Sequence, residues 1–217
     1  MGKYITEFIG TFFLVTTVGL LAQSQYSGIA PFAIGSVLMV MVYAGGHISG
    51  AHYNPAVTLA VLIRGKINIV DAVAYWIVQF AAAAAAAYLV YYFMGDAMPL
   101  AASKLEDNGK AVVAELFATF ALAYVVLNVA TAKGNTGNSF YGLAIGFTVL
   151  TMAYSVGSIS KGAFNPAVAI GISVMKYVAW DNIWVYLVGC FGGATLAALV
   201  FNLINKEDQP VPPIPEN

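Results

Sequence analysis

The tripeptide Asn-Pro-Ala occurs twice, at Asn54-Pro55-Ala56 and at Asn165-Pro166-Ala167. Its physics suits the start of a helix. Asn is a preferred N-cap, and Pro fits the first helical position because its missing N–H would be unpaired there anyway. Each such start carries about half a positive charge, and each Asn keeps a side-chain NH₂ that can point into a lumen. Two of these ends meeting would offer both Asn donors to the oxygen of a passing water and turn its hydrogens away along the passage in both directions. The same positive ends repel hydronium and metal cations. One Asn-Pro-Ala is a weak signal, since Asn-Pro is common in turns, so the weight falls on the second copy and on where it lies.

Other residues offer different chemistry. His47 and His52 flank Ser49, which raises a serine hydrolase. A nucleophile needs a base on a separate, oriented element and an oxyanion hole, and two His in one short loop make a poor dyad. No catalytic residue is assigned, and the chain is not expected to be an enzyme. Cys190 is the only cysteine and sits in an apolar run; it reads as a small buried packing residue, with no disulfide within the chain and no thiolate metal site expected, and no cofactor is expected either. Glu7 and Glu115 are acids within apolar stretches, where an ionisable group is a functional candidate by default.

The elements that must carry these residues follow from composition. Of 217 residues, 60% are hydrophobic and 9% charged, and mean hydropathy is +0.80. A soluble domain carries roughly 25% charged residues, so the chain reads as an all-α integral membrane protein. Net charge is −1 with scattered basic residues, unlike a nucleic-acid footprint. Six apolar segments approach the roughly 20 residues of a span: about Tyr4–Ala22, Ile29–Gly46, Val70–Met94, Ala111–Thr131, Phe140–Ser158 and Ile183–Ile204. The first reads as a retained helix rather than a cleaved signal. Two leftovers, His47–Lys66 and Ile159–Val178, turn apolar for only about ten residues, the length of re-entrant pieces. A Pro-rich tail, 205–217, cannot span.

The halves repeat. Glu7-Phe8-Ile9-Gly10-Thr11-Phe12 parallels Glu115-Leu116-Phe117-Ala118-Thr119-Phe120; Gly46–Val57 parallels Gly157–Val168; Asp71 parallels Asp181. Three spans per repeat, an odd number, make the second copy enter from the opposite side, an inverted repeat. One domain, 1–204, is expected, with repeats of about 4–94 and 111–204.

On the paired Asn-Pro-Ala motifs and these longer matches, the chain resembles the aquaporin, or major intrinsic protein, family from Tyr4 to Ile204. The resemblance implies six transmembrane helices plus two re-entrant half-helices, a homotetramer with a pore in each protomer, and passive passage of water. It implies that Glu7 and Glu115 accept hydrogen bonds from loop backbone, with Gln79 a further support whose repeat counterpart is Gly189, and His47 at the inner mouth. It also implies a four-residue filter, which by spacing falls on Ile34, Ala153, Gly162 and Val168. Most members carry Arg where Val168 stands, and the chain's one Arg, Arg64, cannot substitute. A wider apolar filter is therefore expected, passing water and small neutral solutes such as ammonia, urea, hydrogen peroxide or glycerol. The glycerol facilitators usually have Arg-Asp after the second motif, against Val168-Ala169 here, yet a facilitator with little preference for water stays open. So do a secondary transporter, a photoreceptor without its Schiff-base lysine, and a junction protein with a blocked pore. Lysine and arginine counts on the two sides do not set orientation; cytoplasmic termini and the plasma membrane follow from the resemblance alone.

Overall fold

The computed structural model describes residues 1–22 and 24–206; the expected tail lies outside them from 207 onward. Among the described residues there are eight α-helices and no strand: α1 Gly2–Leu21, α2 Ala30–Ser49, α3 Pro55–Ile63, α4 Ile69–Met94, α5 Asn108–Thr131, α6 Tyr141–Ser160, α7 Pro166–Val174 and α8 Ile183–Ile204. All but α3 and α7 are long and apolar enough to cross a membrane. The short pair has nine residues each, roughly 13 Å of helix, less than half a hydrocarbon layer.

Local chemistry sets the boundaries. α2 stops at Ser49 because Gly50 turns left-handed at φ 84° and returns its N–H to Gly46. Asn68 caps α4 by accepting from the Asp71 N–H, and Asp107 caps α5 by accepting from the Lys110 N–H. That backbone donor holds the Asp107 carboxyl below its ordinary range.

Contacts at the helix ends give the topology. On the face where α1 begins (the near face), Lys3 pairs with Asp71 at 2.7 Å, the Tyr43 hydroxyl reaches Ser139 O, and Arg64 stacks on the Phe201 ring. On the far face, Tyr154 reaches Gly28 O and the Tyr91 hydroxyl reaches Val174 O. So α3 ends at the near face and α7 at the far face, their N-termini facing inward.

The spanning helices pack chiefly as α5 with α8, α1 with α4 and α2 with α6. Small residues sit where backbones approach, because association in lipid relies on close van der Waals packing. A Cβ on Gly35 would lie 2.6 Å from Gly146 O, and one on Gly193 would overlap the Leu116 carbonyl. From the alanine run, Ala82, Ala83, Ala86 and Ala87 are fully buried.

Candidate functional site

Both half-helices start as the motif physics requires. Asn54 is extended (φ −156°), and its Oδ1 accepts from the N–H groups of Ala56 at 2.8 Å and Val57 at 3.4 Å. Asn165 (φ −160°) does the same with Ala167 at 2.9 Å and Val168 at 3.4 Å. Pro55 and Pro166 open the first turns.

Each Asn then reaches across to the other loop. Asn54 Nδ2 donates to Phe164 O at 2.9 Å, and Asn165 Nδ2 donates to Tyr53 O at 2.9 Å. Each acceptor is the residue just before the opposite Asn, so the two helix starts are locked end to end. An amide nitrogen carries two hydrogens; one goes across, and among the described residues no hydrogen bond is made by the other. Tyr53 and Phe164 both sit at φ 50°, a left-handed backbone that turns their carbonyls toward the partner Asn. Such a residue costs of order 1–3 kcal/mol and persists only where its surroundings over-determine it.

The surroundings are the two buried acids. Glu7 accepts from Ser49 Oγ (2.7 Å), the His52 N–H (2.9 Å), the Tyr53 N–H (2.7 Å) and Gln79 Nε2 (2.9 Å). Glu115 accepts from Ser160 Oγ (2.6 Å), the Ala163 N–H (3.0 Å), the Phe164 N–H (2.6 Å) and Cys190 Sγ (3.4 Å). Four donors converging on one carboxyl suit an acceptor-only carboxylate. Both side chains are fully buried, and each braces the residue whose carbonyl holds the opposite Asn.

This geometry revises the repeat register in the third helix of each half. Cys190, not Gly189, takes the place of Gln79 as fourth donor. The Tyr75 hydroxyl donates to Ser49 O and the Tyr186 hydroxyl to Ser160 O, the same 111-residue step that relates Asn54 to Asn165. Asp71 therefore matches Asn182 rather than Asp181. Gly189 provides clearance instead, since a Cβ there would lie 2.6 Å from Glu115 Cβ. Cys190 is thus more than a packing residue, since its thiol bonds the brace.

Backbone positions with positive φ fall in the same register: Gly50 with Lys161 (84° and 72°), Ala51 with Gly162 (52° and 65°), Tyr53 with Phe164, and Gly65 with Lys176 (74° and 60°). A non-glycine residue there costs roughly 1–2 kcal/mol. A lysine at a helix C-terminus recovers about 0.3–1 kcal/mol from the helix dipole, which does not cover it.

The remaining expected residues are placed as follows. Ser49 is engaged with Glu7, and His52 Nδ1 lies 3.1 Å from Thr58 Oγ1, so neither forms a dyad. His47 is exposed and lines a cavity of about 950 Å³ that opens at the near face and is bordered also by Gly50, His52, Gly65 and Asp71. It sits at a mouth, as an open side chain rather than a brace. Val168 is buried at 3% exposure beside the second motif. Gly162 is half-buried, its added Cβ 3.1 Å from Gly157 Cα. Ile34 and Ala153 are half-buried in the far-face halves of α2 and α6, two helices that pack together. Among the described residues no group of three or more His, Cys, Asp or Glu could hold a metal ion.

Tyr53 was not singled out by the sequence. Its ring is wedged between α1 and α2: a Cβ on Gly10 would overlap the ring carbons, and one on Gly45 would overlap the hydroxyl oxygen, which donates to Met41 O at 3.0 Å.

Comparison with known proteins bears on nearly the whole chain. The sequence pattern of the family described as Major intrinsic protein matches residues 1–201. A relative from Lactiplantibacillus plantarum, "Glycerol uptake facilitator protein-like 6", is 36% identical over 219 residues, covering 96% of this chain and 100% of that one. A rice (Oryza sativa subsp. japonica) relative, "Probable aquaporin TIP1-2", is 37% identical over 204 residues, covering 92% and 77%. Among solved structures, the aquaglyceroporin of Plasmodium falciparum superposes with TM-score 0.78 at 20% identity, covering 93% of this chain and 95% of that one, a likeness of fold.

Proposed function

This chain belongs to the major intrinsic protein family and is an integral, multi-pass membrane protein, and on that basis we propose a passive channel, with no enzymatic step, for water and small neutral solutes. The observation that carries this reading is the reciprocal clasp: two half-helix N-termini held end to end by Asn54 and Asn165, each amide keeping one hydrogen for a solute. Positive helix ends directed at that point disfavour cations without needing a charged side chain. The near-face cavity reaches His52, two residues before Asn54, which supports a water-accessible approach.

Ile34, Ala153, Gly162 and Val168 form the proposed far-side filter. None is charged or aromatic, which favours a wide, apolar constriction. The plantarum relative's name favours glycerol among its solutes, making a facilitator with little preference for water the second reading. The transporter reading has less support: a coupled carrier needs a titrating acid or ion ligand at its site, and Glu7 and Glu115 each already accept from four donors of the loops and neighbouring helices. The homotetramer, the 1–204 domain, cytoplasmic termini and plasma-membrane residence complete the proposal on the resemblance alone.

Swelling of proteoliposomes against a panel of water, urea, glycerol and hydrogen peroxide tests it. Linear, unsaturable flux of water and at least one larger solute is expected. Val168→Arg should cut urea and glycerol flux by about tenfold, equivalent to ~1.4 kcal/mol of added barrier, and slow water less. No flux at all ends the channel reading; water passing alone through the unmodified protein ends the wide filter.

A further inference from the structure

We propose that Lys161 and Lys176 form a cationic collar at the far-face mouth of this channel, discriminating against cations before they reach the central clasp. The proposal rests on the channel reading and adds a charge filter at a place distinct from the four-residue constriction.

The repeat supplies the placement. Lys161 and Lys176 are the register partners of Gly50 and Gly65, and both glycines border the near-face cavity. The inverted arrangement carries their partners to the rim of the opposite mouth. α6 delivers Lys161 to the far face as its C-cap residue, and Lys176 follows the far-face end of α7. Both side chains are exposed.

The choice of residue is not explained by local structure. All four positions need a positive φ, which glycine adopts without strain. The near-face repeat has glycine at both; the far-face repeat has lysine at both, and the dipole at a helix end does not offset the strain. The lysines are also left uncommitted. The other far-face lysines stand near acids, Lys104 with Asp181 at 3.7 Å and Lys110 with Asp107 at 3.6 Å. Among the described residues no ion pair joins Lys161 or Lys176 to a carboxylate. Their backbones, by contrast, are fixed: Ser160 and Ala163 bond Glu115 on either side of Lys161, and the Tyr177 hydroxyl next to Lys176 reaches Gly19 O.

Two positive charges at a mouth with low-dielectric walls focus a field into it, and rings of Lys or Arg are a means by which pores select on charge. Neutral solutes feel none of it. Monovalent cations are depleted there, most strongly at low ionic strength, because screening sets in within about 8 Å at physiological salt.

The test compares the unmodified protein with Lys161→Gly/Lys176→Gly and Lys161→Arg/Lys176→Arg in proteoliposomes. Water flux is followed by swelling, and proton and potassium flux by dyes, at low and high salt. The glycine pair adopts the residues that the near-face repeat already uses, so it should fold and melt no lower than the unmodified protein. Its cation flux at low salt is expected to rise about tenfold, with water flux within about twofold, and the rise should shrink in high salt. The arginine pair should keep cation flux low. Lys161→Gln/Lys176→Gln, which keeps much of the side-chain length without charge, should match the glycine pair. Cation flux unchanged in both neutral pairs while water still passes overturns the collar and leaves the channel standing. Absence of water flux in the unmodified protein overturns the channel itself.

Discussion

Glu115→Ala is expected to destabilise the far-side half of the protein rather than alter its selectivity. The substitution strips the acceptor from two backbone N–H groups, a hydroxyl and a thiol at once. A buried donor left unpaired costs about 1–3 kcal/mol, so the two backbone groups alone remove roughly 2–6 kcal/mol from a total stability of order 5–15 kcal/mol. Phe164 would no longer be held left-handed, and its carbonyl would leave Asn54. In detergent, the midpoint of thermal unfolding should fall by about 10–20 °C, given some 2–4 °C per kcal/mol for a chain of this size. Cys190→Ser keeps a donor at the same place and should shift it by only a few degrees. If Glu115→Ala melts within a few degrees of the unmodified protein, the carboxylate does not brace the loop.

Placing a methyl group on Gly45 or Gly10 should damage permeation from a distance. Either Cβ overlaps Tyr53, whose carbonyl holds Asn165. Overpacking of this kind costs typically 1–3 kcal/mol, and the displaced carbonyl loosens the clasp. Water flux through Gly45→Ala or Gly10→Ala should drop by about tenfold. The two overlaps involve different parts of the side chain, which makes a sharp double-mutant test. Gly45 meets the hydroxyl, so Tyr53→Phe should restore much of the flux of Gly45→Ala. The Thr6 methyl, 2.6 Å from the same added Cβ, keeps that rescue partial. Gly10 meets ring carbons, so Tyr53→Phe should do nothing for Gly10→Ala. Equal rescue of both, or of neither, would show that Tyr53 does not couple this packing to the clasp.

Much of this arrangement is legible in the residues themselves. The spanning helices announce themselves by length and apolarity, and their ends fall within three residues of expectation; α8 matches at both ends. The half-helices are visible because Asn and Pro carry their positional preference in their own chemistry. Backbone conformation is not visible in the same way. Nothing about the letters Tyr53 and Phe164 says that their φ is positive, so the cross-loop bonds stay hidden, and with them the reason for Gly10 and Gly45. The register error in the third helices has a simpler source. Two aspartates, Asp71 and Asp181, look equivalent by type, whereas the packing pairs Tyr75 with Tyr186 and Gln79 with Cys190. A sulfhydryl replacing an amide as donor leaves no compositional trace of shared purpose. His47 is expected at the inner mouth, and it does line the near-face cavity, with its side chain open to it rather than packed.

The clasp has a symmetry that bears on origin. Asn54 holds the residue before Asn165, and Asn165 holds the residue before Asn54, so each contact is repeated with its roles exchanged. That is the signature of an isologous interface, the kind two identical subunits make about a dyad. A half-length polypeptide able to insert in both directions would build the same central junction by pairing with itself. Two copies joined in one chain are free to differ, as Gln79 differs from Cys190 and Gly50 and Gly65 from Lys161 and Lys176, so the two ends of the molecule need not match.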